Sequence, residues 1–138
     1  MKSKWSSAWN ASKQPRKQRK YRHNAPLHIR HHFVAAHLAK ELRATYQKRS
    51  MPLRKGDEVE IMRGPMAGIR KVVERVDLRR SKVYVEGVKV KKVNGTEVLR
   101  ALQPSNLQIT KINLDDKARL AAIQRVKTNA AAPKQPVK

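Results

Sequence analysis

The stretch Arg54-Lys55-Gly56-Asp57-Glu58-Val59-Glu60-Ile61 places a basic turn directly before an alternating run of acidic and apolar residues. Val59 and Ile61 alternate with glutamates, which is the pattern of a β-strand with one buried face. Arg63-Gly64-Pro65-Met66-Ala67-Gly68 follows as a loop bounded by two glycines, and Val72-Val73 indicates the next strand. The stretch therefore predicts a strand–loop–strand unit that is entered through a basic turn.

Further short strands are predicted after this unit. Residues 83–85 form an apolar run, and residues 88–99 carry valines on both sides of Asn94-Gly95, a dipeptide typical of tight hairpins. Gly87 interrupts the alternation and predicts a β-bulge, and Pro104-Ser105-Asn106 predicts a turn before a last strand. About five short strands with glycine-marked turns are typical of a small barrel. We therefore expect a mainly β fold.

Helical patterns flank the predicted β region. Leu38 and Leu42 lie four residues apart within residues 26–48, which indicates either one helix or two short helices broken near Ala35-Ala36. Asp115-Asp116 predicts the start of a last helix that reaches about Lys127, because acidic side chains favour a helix N-terminus. These patterns divide the chain into a basic arm (1–25), a helical segment (26–49), a β-barrel domain (50–112) and a C-terminal helix with a flexible tail (113–138).

The charge of this 138-residue chain is high and unevenly distributed. Its formal net charge is +23, and residues 1–50 hold thirteen basic side chains against one acidic side chain. Such a charge opposes compaction unless an anion neutralises it, and nucleic acid is the obvious polyanion. Residues 13–22 are the densest basic block, which we do not expect to order alone. Trp5, Trp9 and Tyr21 are available to stack on bases.

Composition also excludes several classes of protein. The absence of Cys removes disulfides, thiolate metal sites and cysteine nucleophiles. No apolar run approaches the roughly 18 residues of a membrane span, and a small barrel leaves no room for a deep catalytic pocket. Residues 1–14 share the basic, acid-free composition of a mitochondrial transit peptide, but no clear apolar face accompanies it. We expect neither a membrane partner nor a small-molecule substrate.

The clustered histidines and carboxylates do not predict catalysis or a cofactor. All five histidines lie within residues 23–37, and His28 and His32 have helical spacing, but only Glu41 lies near enough to complete a metal site. Asp57, Glu58 and Glu60 favour a surface salt-bridge network with the neighbouring basic residues. We therefore expect no enzyme, no metal and no cofactor.

Several segments resemble known families. KGDEVEI, the following RG…G loop and KVVERVD resemble the KOW motif, which implies a small SH3-like β-barrel over residues 50–112. The segments QPRKQRKYRHNAPLHIRHHFVAAHLAKELRATY, VYVEGV, NGTEV and ITKINLDD resemble the universal large-subunit ribosomal protein family that is numbered twenty-four in bacteria and twenty-six in eukaryotes. The resemblance covers roughly residues 13–120 and is to the archaeal and eukaryotic branch.

This resemblance implies a structural constituent of the large ribosomal subunit, in the ribosome of the cytoplasm. It implies binding to large-subunit rRNA early in assembly, near the polypeptide exit tunnel, beside neighbouring ribosomal proteins. One residue departs from the KOW pattern, because Lys71 stands where a glycine usually precedes the second strand. A positive φ there would strain the backbone.

The candidate RNA-binding residues are basic side chains of the arm and of the barrel loops, together with two histidines. They are Lys13, Arg16, Lys17, Arg19, Lys20, Arg22, His31, His32, Arg54, Lys55, Arg63, Arg70 and Lys71. Each could instead be an ordinary solvated side chain, and Arg79, Arg80 and Lys82 could face either solvent or RNA.

Two other functions stay open at this point. A KOW-domain transcription factor that binds nucleic acid or polymerase would usually need an α/β domain before the barrel, and residues 1–50 are too short and too basic to form one. An adaptor that binds an acidic peptide would need an aromatic groove, yet Tyr84 is the one aromatic residue of the predicted barrel.

Overall fold

The structure is a computed structural model that describes residues 5–6, 8 and 12–131. The predicted stacking role of Trp9, most of the transit-peptide alternative and the tail beyond residue 131 lie outside the described residues. In chain order the elements are α1 (Pro15–Asn24), α2 (Leu27–Phe33), β1 (Ala35–Leu38), α3 (Lys40–Tyr46), β2 (Ser50–Pro52), β3 (Glu58–Ile61), β4 (Arg70–Asp77), β5 (Lys82–Val85), β6 (Lys89–Lys91), β7 (Glu97–Leu99), a 3₁₀ turn (Pro104–Asn106), β8 (Leu107–Lys111) and α4 (Lys117–Ala131).

The strands form one mixed sheet and a separate hairpin. The six-stranded sheet has the order β2-β1-β8-β3-β4-β5, with β1 and β8 parallel and the other neighbours antiparallel. Among the described residues, no named strand pairs β5 back to β2, so this sheet is open. Strands β6 and β7 pair with each other around the predicted Asn94-Gly95 turn. The mainly β fold is confirmed.

The core is a cluster of buried apolar side chains, most of them from the six-stranded sheet and its connections, and in β3 it follows the predicted alternation. Val59 and Ile61 of β3 are buried, and so are Val83 and Val85 of β5. Strand β8 adds Leu107 and Ile109. Because side chains on a strand alternate between faces, each strand of the six-stranded sheet contributes inward-facing residues to one shared cluster, whereas β6 and β7 contribute none.

Of the two arrangements predicted for residues 26–48, one continuous helix is wrong, and two short helices broken near Ala35-Ala36 are found, although the sequence did not predict that the break is a strand. Residues Ala35–Leu38 form β1, in which Ala36 and Leu38 are buried and Ala35 and His37 are partly exposed. Strand β1 has hydrogen-bonded neighbours on both sides, β2 and β8. The pairing outweighs the helix propensity of alanine and leucine, so α2 and α3 are two short helices separated by a strand.

The backbone of Lys71 is not strained, and Gly87 does not form the predicted bulge. Lys71 lies in β4 opposite Val59, whereas the positive φ values of the preceding loop belong to Gly64, at +101°, and Gly68, at +85°. Its backbone therefore has ordinary strand geometry. Gly87, with φ of +73°, lies in a turn where Val88 N–H donates to the Val85 carbonyl, so no bulge forms there.

Asp57 departs most from its predicted place on the surface. Its carboxylate is fully buried and accepts both arms of the Arg119 guanidinium, at 2.6 and 2.8 Å. Backbone N–H groups of Arg54 and Asn113 donate to the same carboxylate at 2.9 and 3.0 Å. This buried pair fixes α4 against the sheet. By contrast, Glu60 lies nearer the surface as predicted, but its ion-pair partner, at 2.9 Å, is Arg70 on the neighbouring strand and not a basic residue close to it in the chain.

The start of the last helix is confirmed. Asp116 precedes α4, and its Oδ1 accepts a hydrogen bond from the Ala118 N–H at 2.9 Å. A carboxylate at this position satisfies an N–H group that has no partner within the helix.

Replacing Arg119 with Met should lower the free energy of unfolding by about 3–5 kcal/mol, because the Asp57 carboxylate would stay buried without its charge partner. Arg125→Met is the matched control, since Arg125 lies on the exposed side of the same helix; it should change stability by about 0.5 kcal/mol or less. Urea denaturation measures both variants. A decrease below about 1 kcal/mol for Arg119→Met would contradict the structural role of the pair.

Replacing Lys71 with Gly should destabilise the protein by roughly 0.5–1 kcal/mol, because glycine loses more backbone entropy in a strand. Lys71→Ala separates this effect from the removal of the side chain, which is exposed. Thermal or urea denaturation measures the stability of both variants and so distinguishes strand geometry at residue 71 from a positive φ. A Lys71→Gly protein that is as stable as the parent would point to a positive φ at this position.

Candidate nucleic-acid interface

The basic arm contains a helix that the sequence did not predict. Helix α1 begins at Pro15, whose missing N–H and fixed φ suit a first helical turn. It carries no acidic residue and no buried residue. Arg16, Arg19, Lys20 and His23 line one shallow depression on its surface, at helical spacing. The other candidates of this segment, Lys13, Lys17 and Arg22, are also exposed.

Aromatic contacts join α1 to the rest of the protein. The ring centroid of Tyr21 lies 5.3 Å from that of Trp5 and 6.1 Å from that of Phe33 in α2. The Arg22 guanidinium lies 6.0 Å from the Phe33 ring centroid. Trp5 and Tyr21, which we expected to be available for bases, thus pack within the chain and orient the basic helix.

Arg30 is a second connection, and sequence reasoning missed it. Its guanidinium donates to the backbone carbonyls of Ala25, at 2.9 Å, of Arg79, at 2.7 Å, and of His23. The side chain therefore joins the α1–α2 junction to the β4–β5 turn. The partners are backbone atoms, so no residue pattern predicts the contact.

The candidates near the sheet fall into two groups. Arg54 forms an ion pair with Asp116, and Arg70 pairs with Glu60. Lys55, Arg63 and Lys71 are exposed, and none of them forms an ion pair within the described part of the chain. The second group is therefore the more available to an external anion. Arg79 and Arg80, in the turn between β4 and β5, are exposed as well.

A cleft brings His31, His32 and Arg54 together. It lies between α2, β2 and the first turns of α4, and Lys48 and Arg119 also line it. The two imidazole rings meet edge to face, with centroids 6.0 Å apart. Burial lowers the pKa of His31, and the positive charges of Arg54, His32 and Arg119 lower that pKa further, against the opposing effect of Asp116. His31 is therefore neutral at pH 7.

Lys48 and Arg119 line the cleft, and the sequence identified neither of them as a candidate. The Lys48 Nζ donates to the Ala122 carbonyl of α4 at 2.8 Å. The contact depends on a helix more than seventy residues away in the chain, so no local pattern predicts it.

Metal centres and membrane spans are two other kinds of site. Among the described residues, no group of three or more His, Cys, Asp or Glu side chains is arranged to hold a metal ion. In the same residues, no helix has the length and apolar character to cross a membrane.

Comparison of the sequence with known proteins shows the family to which the chain belongs. Residues 12–126 match the family that unites the eukaryotic ribosomal proteins L26 with the archaeal ribosomal proteins L24. The chain is 54% identical over 108 residues to the large ribosomal subunit protein uL24 of Methanothrix thermoacetophila, covering 78% of this chain and 93% of that protein.

Two further relatives have the same name. The chain is 49% identical over 114 residues to large ribosomal subunit protein uL24 of Methanocorpusculum labreanum, covering 83% of this chain and 94% of the relative. It is 46% identical over 114 residues to large ribosomal subunit protein uL24 of Methanosphaera stadtmanae, covering 83% of this chain and 97% of the relative. The match spans α1, the sheet and most of α4, so the chain belongs to the family of eukaryotic L26 and archaeal L24 ribosomal proteins.

Proposed function

We propose that this protein binds large-subunit rRNA through α1 and the basic loops beside the sheet. As a member of a ribosomal protein family, it is a structural constituent of the large ribosomal subunit in the cytoplasm and not an enzyme. The observation that carries the rRNA proposal is the surface of α1, which is basic, exposed and without any acidic side chain. Such a surface needs a polyanion beside it.

The individual contacts follow from exposure and pairing. The exposed cations Lys13, Arg16, Lys17, Arg19, Lys20 and Arg22 suit phosphate groups, and so do Lys55, Arg63 and Lys71. Arg54 and Arg70 would exchange or share their carboxylate partners on binding, so we expect smaller contributions from them. Contacts with neighbouring ribosomal proteins, early assembly and a position near the exit tunnel also belong to this proposal.

We also propose that residues 50–112 form an SH3-like barrel. An isolated bridge between Val83 and Leu102 places a fifth segment next to β5. From Leu102 the chain passes through the 3₁₀ turn directly into β8. Strand β8 pairs with β3, so it lies at the other end of the series β8-β3-β4-β5 from Leu102. The bridge at Leu102 and the short path from Leu102 to β8 support the proposal, since both bring the chain from β5 back towards the first strand of the order β8-β3-β4-β5.

The division of the chain supports this function. We propose a basic arm over 1–25, a linking segment over 26–49, the barrel over 50–112 and a C-terminal helix and tail over 113–138. The arm and the barrel differ in charge pattern, since residues 51–101 mix thirteen basic with seven acidic side chains. Mixed charges suit an independently folded surface, and one-signed charge suits contact with phosphates.

A double variant of α1, Arg19→Gln with Lys20→Gln, should weaken binding to archaeal large-subunit rRNA and make it less sensitive to salt. Each phosphate contact that the substitutions remove should reduce the slope of log K against log salt by about 0.7–0.9, so two contacts give about 1.5. Filter binding between roughly 50 and 200 mM salt measures the slope.

The matched control is Lys117→Gln with Arg125→Gln, which removes the same charge from exposed positions on α4. It should leave the slope within a few tenths of that of the parent. Equal slopes for the two double variants would contradict the role of α1. Circular dichroism checks that both variants fold, and glutamine has nearly the helix propensity of the residues it replaces.

A further inference from the structure

The cleft between α2, β2 and α4 has a volume of about 240 Å³ and a mixed lining. Apolar groups of Met51, Pro52, Ala118 and Ala122 face it together with the two imidazole rings. We propose that this cleft receives a single unstacked nucleobase of RNA. The inference rests on the proposed function. It adds a site that recognises a base, whereas α1 contacts phosphates.

The inner part of the cleft, at Arg119, favours an uncharged occupant. Arg119, its most buried cation, has all of its guanidinium nitrogens engaged within the protein. Nε faces the Met51 sulfur, and the two terminal nitrogens bond the Asp57 carboxylate and the carbonyls of Asn113 and Pro52. A phosphate placed there would find no donor on Arg119, and the adjacent Asp57 carboxylate cancels the arginine charge.

The lining suits the flat face of a base. Unstacked RNA bases bind by stacking on aromatic side chains, histidine among them. The planes of His31 and His32 are inclined by 69°, so a base parallel to one ring meets the edge of the other. His32 is exposed and His31 is half-buried, which assigns stacking to His32 at the mouth of the cleft and leaves His31 for the edge of the base.

A neutral imidazole at His31 provides one donor and one acceptor. The edges of nucleobases likewise present donors and acceptors side by side. Burial and the surrounding cations keep His31 neutral at pH 7 by lowering its pKa, so one ring nitrogen keeps its lone pair for an N–H group of a base. A protonated imidazole would be able only to donate.

The cations at the cleft suit the phosphates that flank such a base. The Arg54 side chain remains 42% exposed while it pairs with Asp116. Lys48 uses one of its three donors on the Ala122 carbonyl. The volume is below the roughly 300–1,000 Å³ typical of sites for whole small molecules. One ring system therefore fits the cleft, and its sugar and phosphate remain outside.

The experiment compares full-length His32→Ala, His32→Phe and His28→Ala for binding to archaeal large-subunit rRNA at about pH 8, where an ordinary imidazole is neutral. Removal of a base stack should weaken binding by about 5- to 150-fold for His32→Ala. The slope of log K against log salt should stay at the parental value, because every phosphate contact remains in place. His32→Phe keeps a stacking ring and should bind within about threefold of the parent.

His28→Ala is the matched control, because His28 is exposed on the same helix and does not line the cleft; it should bind like the parent. If His32→Ala binds like the parent, the cleft holds no base, and a protein occupant becomes the explanation. If its salt slope falls as for the α1 variant, His32 contacts phosphate and the base proposal is overturned. If the parent itself fails to bind rRNA, the proposed function fails instead.

Discussion

The fold depends on one buried ion pair, that of Asp57 with Arg119. Asp57 lies in the turn that enters β3, and its oxygens accept from the backbone of Arg54 and Asn113 as well as from the guanidinium. Arg119 in turn reaches Met51 and Pro52 of β2. Two stretches far apart in the sequence, residues 51–57 and 113–119, thus meet at one ion pair. Such a pair contributes little net stability over an apolar substitute, because both charges lose their hydration. Its value here is geometric, since only one placement of α4 satisfies all its hydrogen bonds.

That placement forms the cleft. Helix α4 has its first turn held by the Asp116 cap and by the Arg54–Asp116 pair, and Lys48 bonds a carbonyl one turn later. With α4 fixed, β2 and the end of α2 become the opposite wall. Helix α1 is held differently, by aromatic contacts of Tyr21 and by the Arg30 hydrogen bonds, and it buries no residue of its own. The two parts of the candidate interface are therefore held to the rest of the fold by different kinds of contact.

The sequence predicted what local patterns encode. The alternation in β3, the hairpin at Asn94-Gly95 and the acidic start of α4 all follow from residues close together in the chain. Strand β1 does not, because its pairing with β8 joins residues about seventy positions apart and overrides a helical composition. The partner of Asp57 lies 62 residues away, and nothing around Asp57 distinguishes a buried carboxylate from the surface glutamates beside it. Basic candidates could be named by residue type, whereas their grouping around a cleft required the tertiary structure.

The difference between α1 and the cleft bears on how such a protein would select one place on a long RNA. Phosphates are the same along every strand, so the charges of α1 supply affinity and orientation without sequence information. Base edges and unstacked bases carry that information, and reading them requires donors, acceptors and ring faces held in fixed positions. An exposed helix with no buried residue cannot hold side chains in that way, whereas a wall fixed by the Asp57–Arg119 pair can. Selectivity should therefore come from the folded domain, even though the densest block of positive charge, residues 13–22, lies in the arm.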